Sequence, residues 1–303
     1  MPGVAPAGPQ PDGVLVVDKP PGVTSHDVVD AVRRKLGTRK VGHGGTLDPD
    51  ATGILLVGAG RATRFLSYAQ AAPKRYVAGA RFGAETTTQD ASGEVVATSD
   101  PDFTEAELQA ALAALTGDIE QVPPMVSAVK VGGERLYAKA RRGEEVERAA
   151  RRVTVYELEL LKYDGGAHQA TLEVLCSGGT YVRTLIHDLG RALGCGAHMT
   201  ALRRTAAAGF TELDALPLDA VDASALRPLG DAVRELPRLD VDAEAARAVA
   251  HGRPLDARPP GGPHVAVFHD GELIAVYRAT EEGLRPDRVV PGGSSRGPAR
   301  DEP

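Results

Sequence analysis

The segment HGGTLDPDATG, His43 to Gly53, sets two carboxylates, Asp48 and Asp50, two positions apart in a glycine-rich stretch without hydrophobic periodicity. Paired carboxylates can act as nucleophile and proton carrier, and Asp48-Pro49-Asp50-Ala51-Thr52 fits a D-x-D-x-T arrangement in which the first Asp attacks phosphorus. That chemistry requires the pair at the end of a buried hydrophobic strand, with later carboxylates to hold Mg²⁺. Here the preceding residues are Gly42, His43, Gly44, Gly45 and Thr46, a poor strand, and no suitable Asp-Asp or Gly-Asp-x-x-x-Asp group follows. The glycines permit close backbone approach or positive φ, and Pro49 pushes Asp48 toward an extended conformation. Asp48 is therefore expected on a loop, presented by its backbone.

The elements around this loop are legible in outline. GVLVVDKPPG reads as a short buried strand stopped by a Pro-Pro-Gly turn. A helix follows, with Thr24 and Asp27 forming a capping box, Val28, Val32 and Leu36 on one face, and Gly37 as its stop. Residues 74–82 alternate as a strand does, and TEAELQAALAALTG is a helix opening at Thr104 and closing at Gly117. A dense run of Arg, Lys and Glu between two β-like segments marks an insertion at about 125–152. ATLEVLCSGGTYVRTLIHDLGRAL passes from strand through a Gly-Gly turn into a helix with Leu185, Ile186, Leu189 and Leu193 on one side. Beyond residue 235, a short helix through AEAARAVAHG and two strands joined at Asp270-Gly271 read as a separate small module. The Pro/Gly-rich residues 1–11 and the tail 291–303 cannot support a packed core.

Of the 303 residues, 42% are apolar, enough for a sizeable core, and 25% are charged. The net charge of −6 argues against a nucleic-acid binder only if the charge is evenly spread. It is not: residues 1–210 carry 24 basic and 24 acidic side chains, so the whole excess lies in 211–303. A neutral body can carry a basic face, and Arg33, Arg34, Lys35, Arg39 and Lys40 already cluster. The N-terminus lacks the basic and apolar regions of a secretory signal, and no apolar run approaches the ~20 residues of a membrane span, so a cytoplasmic protein with no membrane association is expected. Cys176 and Cys195 are too few for a zinc site or a disulfide framework.

The string VGHGGTLDPDATGILLVGAGRATR, residues 41–64, resembles the catalytic motif of the TruB family of tRNA pseudouridine synthases. The resemblance continues in order through DKPPGVTSHDVV (18–29), KRYVAGARFGAETTTQDASGEV (74–95), GDIEQVPPMVSAVKVGGERLYAKARRGEEVE (117–147), CSGGTYVRTLIHDLGRALG (176–194) and HMTALRRTAAAGF (198–210). It covers roughly residues 12 to 250, and several long motifs in register are more specific than any one of them. The C-terminal part is similar, more loosely, to the PUA-like RNA-binding module of many members. Three positions depart from the family pattern: Val126 where Tyr or Phe is usual, Arg64 for Lys, and Gly44 for Thr or Ala.

The resemblance implies an α/β (α+β) pseudouridine synthase fold. Its parts would be a mixed, largely antiparallel sheet in residues 12–235, an inserted RNA-binding arm, and a small β-rich PUA-like module in 236–290. It implies conversion of the T-loop uridine of tRNA, position 55 by tRNA convention, to pseudouridine, with no cofactor and no metal. The partner is the T arm of tRNA, and the family expectation is a monomer. The family's catalytic aspartate falls on Asp48, which leaves Asp50 at a variable position. Arg183 would pair with Asp48, lower its pKa and aim it. Tyr76 would stack on the flipped uracil, His43 would fill the space that the flipped base leaves, and Tyr181 and Leu202 would line the pocket. Asp90 matches a position near the bound loop. Lys19, Arg64, Arg141, Arg142, Arg203 and Arg204 are expected phosphate contacts. An RNA-folding factor that uses the same surface mainly for binding is the reading from a different class.

Overall fold

Two apolar runs fix the centre of the molecule. GVLVVDK and TGILLVGA are buried along nearly their whole length, as strands covered on both faces must be. They form β1 (Gly13–Lys19) and β3 (Thr52–Ala59), antiparallel neighbours with Val17 opposite Leu55. The computed structural model describes residues 11–125, 130–131, 134–135, 142, 144, 146–257 and 261–291. Val126, Arg141 and, except for Pro11 and Pro291, the two chain ends expected to be disordered lie outside these residues.

A sheet of ten strands grows from this pair. Beside β3 lies the short β2 (Val41–His43), and the far side continues through β4 (Lys74–Phe82), β7 (Gly117–Gln121), β10 (Arg151–Asp164), β11 (Gln169–Cys176) and β12 (Ala197–Ala207). β13 (Phe210–Thr211) pairs with β12, and β14 (Leu216–Pro217) closes the edge beside β1. The main path is β14-β1-β3-β12-β4-β11-β10-β7, and every pairing is antiparallel except β1–β14 and β3–β12. The fold is mixed α/β with a largely antiparallel sheet, as the sequence led one to expect.

Local signals fixed the helices. α1 (Ser25–Leu36) starts at the Thr24–Asp27 capping box and stops at Gly37, whose φ is 63°. α2 (Leu66–Ala71) follows a 3₁₀ turn, and α3 (Glu105–Ala114) starts at a second capping box, Thr104 with Glu107. α4 (Val182–Ala192) buries Leu185, Ile186 and Leu189. It lies so close to the start of β12 that a Cβ at Gly190 would stand 2.2 Å from the nitrogen of Ala197.

The insertion has a defined root. β7 and β10 pair with Gln121 opposite Arg151, so the chain leaves the sheet after Gln121 and re-enters it at the same rung. The excursion is therefore 122–150, beginning three residues and ending two residues earlier than expected, because β7 ends at Gln121 and β10 draws Arg151 and Arg152 into the ladder. Within it β8 (Lys130–Val131) pairs with β9 (Glu134–Arg135). A second small hairpin, β5 (Ala84–Thr86) with β6 (Val95–Thr98), carries the turn that holds Asp90.

The C-terminal part forms its own four-stranded sheet from β15 (Arg238–Asp240), β16 (His264–His269), β17 (Glu272–Thr280) and β18 (Gly283–Val289). Asp270 and Gly271 both have positive φ, 49° and 80°, the requirement of a type I′ hairpin. One face of this sheet packs under α5 (Ala243–Ala250), through Val265, Val267, Ala275 and Val249. The other, through Ala266, Phe268, Leu273 and Val276, packs on Val14, Ile54, Phe65 and Leu66 of the larger sheet and α2. The sheet is separate, but its core is shared.

Candidate active site

The Asp48 loop is held in place from below by its own backbone. Ser25, the first residue of α1, donates its hydroxyl to the carbonyl of Leu47 at 3.0 Å and accepts the Leu47 N–H at 2.8 Å. The N–H of Gly22 reaches the Pro49 carbonyl at 3.0 Å, and the Ala51 N–H closes a turn on the Asp48 carbonyl at 3.1 Å. Gly53 lies against Arg204 where β3 and β12 run parallel, with φ 96° and a Cβ position only 2.2 Å from the Arg204 carbonyl oxygen, so only glycine fits there. Two flanking side chains, Leu47 and Ala51, sink into an apolar cluster that also contains Tyr76, with Leu202 packed on it. Asp48 is thereby lifted to the rim of that cluster, its side chain 37% exposed.

Arg183, at the start of α4, is 4% exposed and stands between two carboxylates. One Nη lies 3.6 Å from Oδ1 of Asp48 and the other 3.2 Å from Oδ2 of Asp90. Asp90 is fixed by its turn: its Oδ1 accepts the Thr88 hydroxyl at 2.6 Å, the Ser92 hydroxyl at 2.5 Å and the Ser92 N–H at 3.0 Å. Burial raises the Asp90 pKa, but the hydrogen bonds from Ser92 and Thr88 outweigh it and hold the carboxyl below its ordinary range. For Asp48 the balance is reversed. Burial pushes its carboxyl up, Arg183 only partly opposes this, and Asp90 adds to the rise. Arg183 does lower the Asp48 pKa as expected, but burial outweighs it: the guanidinium is shared with Asp90, and its distance to Asp48 is longer than a direct hydrogen bond. A carboxylate with a raised pKa is, once ionised, the stronger base and nucleophile of the two.

The remaining expected residues divide into two groups. Tyr76 sits on β4 opposite Arg204, its ring 6.0 Å from that guanidinium, and burial raises its phenol pKa. Tyr181 is the N-cap of α4, its ring 6.0 Å from the Arg183 guanidinium, and Leu202 lies on β12 opposite Ala78. These gather around Asp48. His43 and Arg64 instead line a groove of about 500 Å³ with Arg39, Lys40, Gln70 and Arg288, the last contributed by the C-terminal sheet. Arg64 is exposed there, and Arg142 is exposed and pairs with Glu144 at 2.7 Å.

Three expected phosphate contacts are otherwise engaged. Lys19 is 0% exposed and donates to the carbonyls of Val23 at 2.6 Å, Pro49 at 2.7 Å and Pro20 at 3.0 Å, leaving no donor for a phosphate in this conformation. Burial lowers its pKa to about 8. Arg204 is buried on the carbonyls of Ile54, Gly45 and Thr46, and Arg203 forks onto Asp18 at 3.0 and 3.1 Å. Lys74, to which the sequence assigned no role, is likewise buried and donates to the carbonyls of Ala72 and Gln70 at the end of α2, with its pKa lowered by burial to about 8. Buried cations on carbonyls rather than carboxylates keep their positive field, and that of Lys19 and Arg204 favours negative charge at the loop they bond. Asp50 is exposed and forms no ion pair among the described residues, and the motif follows a three-residue strand, so the phosphoryl-transfer reading loses its structural basis. Ser25, Lys74, Gln89 and Gln121 went unassigned; only their place inside matching motifs could have marked them.

A buried guanidinium bridging a loop carboxylate and a turn carboxylate beside a sheet tyrosine, on a mixed sheet with an inserted arm, forms a candidate active site. Comparison with known proteins agrees. Residues 33–182 match the model of the TruB family pseudouridylate synthase N-terminal domain, 183–239 the tRNA pseudouridylate synthase B C-terminal domain, and 236–291 the tRNA pseudouridine synthase II C-terminal region. Among similar proteins, tRNA pseudouridine synthase B of Nocardia farcinica is 49% identical over 283 residues, 91% of this chain and 92% of that protein. The protein of the same name from Thermobifida fusca is 46% identical over 93% of this chain and 99% of its own length. A chain from a crystal structure of a Cbf5-Nop10-Gar1 complex superposes with a TM-score of 0.72 at 31% identity, over 92% of this chain and 84% of that one. A chain from an H/ACA RNP bound to a substrate RNA containing 2'-deoxyuridine gives 0.71 at 28% identity, over 93% and 86%. The chain belongs to the TruB family of tRNA pseudouridine synthases, isomerases that act on uridine in tRNA.

Proposed function

We propose that this enzyme isomerises the T-loop uridine of tRNA, position 55 by tRNA convention, with Asp48 as the reactive carboxylate. The bond from N1 to the ribose breaks, the uracil turns, and C5 takes the place of N1, with a proton leaving C5 and one arriving at N1. The observation that carries this reading is the Asp48–Arg183–Asp90 arrangement at the rim of an apolar cluster containing Tyr76. Asp90 stays ionised and holds Arg183, while Asp48 keeps a raised pKa and hence high basicity. The uridine reaches Asp48 only by leaving its stack, at a cost of roughly a few kcal/mol. Tyr76 stacks on the extruded uracil, Tyr181 and Leu202 line its pocket, and His43 fills the gap left in the loop. Arg39, Lys40 and Arg64 hold phosphates beside His43, and the arm at 122–150 closes over the T loop. Lys19 supports the reading indirectly, by fixing the Asp48 loop. The enzyme works as a cytoplasmic monomer and needs only its RNA.

The test is to incubate the protein with an unmodified tRNA transcript and map every pseudouridine formed. Conversion confined to the T-loop uridine is expected. Conversion at another position, or conversion that persists when that uridine is replaced by cytidine, contradicts the assignment.

A further inference from the structure

We infer that Gln121 is a positioning residue for the isomerisation: through the backbone of Tyr181 it sets where Arg183 stands against Asp48. This rests on the reading above, in which Asp48 and Arg183 form the reactive pair. Gln121 is the last residue of β7, immediately before the inserted arm, and is 2% exposed. Its carboxamide makes two bonds to one residue: Oε1 accepts the Tyr181 N–H at 2.7 Å, and Nε2 donates to the Tyr181 carbonyl at 3.0 Å. Tyr181 is extended, at φ −99° and ψ 104°, so its N–H and C=O present themselves to one side as in a strand, and the amide pairs with both.

The place held in this way matters. Tyr181 is the N-cap of α4 without any cap from its own side chain, and its carbonyl also accepts the Leu185 N–H at 3.0 Å. Arg183 lies two residues on, in the first turn. That turn is held from its other side by Thr184, which donates to the amide oxygen of Gln89 at 2.7 Å, next to Asp90. Gln121 is the corresponding tie to the arm, whose returning limb reaches the same root when Arg148 donates to the Pro123 carbonyl at 3.0 Å. A buried carboxamide is tolerated only with both ends bonded, and an apolar side chain of equal size leaves the Tyr181 N–H unpaired. Seating of the arm on RNA and the aim of Arg183 are thus joined through one side chain.

Two near-isosteric variants, Gln121→Glu and Gln121→Met, separate positioning from general structure. The readouts are the single-turnover rate constant at saturating protein and the Kd for unmodified tRNA, over roughly pH 6 to 9. The methionine variant should lose at least about tenfold in rate at every pH, with Kd within about twofold of wild type. In the glutamate variant the ionised carboxylate can accept from the Tyr181 N–H but opposes its carbonyl, whereas the protonated form restores both bonds. Its rate deficit should therefore match that of the methionine variant at high pH and shrink as pH falls. The inference is overturned if both variants stay within about twofold of the wild-type rate, if the loss lies in tRNA affinity alone, or if the glutamate deficit does not change with pH. Should the glutamate variant fail to fold, the methionine variant decides by the same division between rate and affinity. Wild-type conversion together with an inactive Asp48→Asn variant supports the underlying reading whatever Gln121 does.

Discussion

A carboxylate that burial makes harder to ionise is a stronger base once ionised, and that trade defines Asp48. Its pKa is raised in the folded protein, chiefly by burial, above the ordinary 3.8 of the unfolded chain. The native state therefore holds the proton to higher pH than the unfolded state, so stability falls as pH rises between 3.8 and the folded pKa and stays reduced beyond it. Asp48→Asn, which carries no charge, should melt at a higher temperature than wild type at neutral pH, and the difference should close at pH below 3.8. A variant that melts lower at neutral pH contradicts this electrostatic account. Asp48, Tyr76 and Arg183 can be singled out from the sequence because each sits inside a long motif in register. For Lys19, Arg203 and Arg204 the sequence shows a cation but not its partner. The folded chain turns two of these inward onto carbonyls and the third onto Asp18.

At the scale of elements, the proposed catalytic geometry depends on a loop with no regular structure, whose backbone is fixed by its neighbours' side chains. Lys19 joins the turn after β1 to the Asp48 loop through the Val23 and Pro49 carbonyls. Lys19→Met keeps the volume but leaves buried acceptors unmatched, and should cost about 1–3 kcal/mol of stability. The measurements are urea unfolding and single-turnover rate: the rate should fall while the tRNA Kd changes little. A Kd that rises with the rate unchanged would instead return Lys19 to the phosphate contacts. The helix starts at Thr24 and Thr104 were readable because capping is local. The parallel junction that sets Gly53 against Arg204 was not, since its partners lie far apart in the chain and no alternation marks the pairing. The root of the arm was placed slightly late for the same reason, the Gln121–Arg151 rung being invisible in a charged run.

For the whole molecule, the shared core makes the C-terminal sheet a structural part of the enzyme. Its runs VAVF and LIAVY read as alternating hairpin strands of a separate module, yet they are buried on both faces, one of them against Phe65, Ile54 and Val14. Truncation after residue 235 should expose that surface and lower the melting temperature by roughly 10 °C or more, or yield insoluble protein. A truncated chain that melts like wild type would show the shared core to be dispensable. The same sheet brings Arg288 to the groove of His43 and Arg64, which locates positive charge on one face of a chain whose net charge is −6. The central claim concerns the two carboxylates of the DPD segment, and the most direct test is pseudouridine formation in unmodified tRNA by Asp48→Asn and Asp50→Asn, with tRNA binding measured in parallel. Asp48→Asn should bind tRNA and form no pseudouridine, while Asp50→Asn keeps a rate near wild type; equal loss in both variants, or activity in Asp48→Asn, would contradict the account.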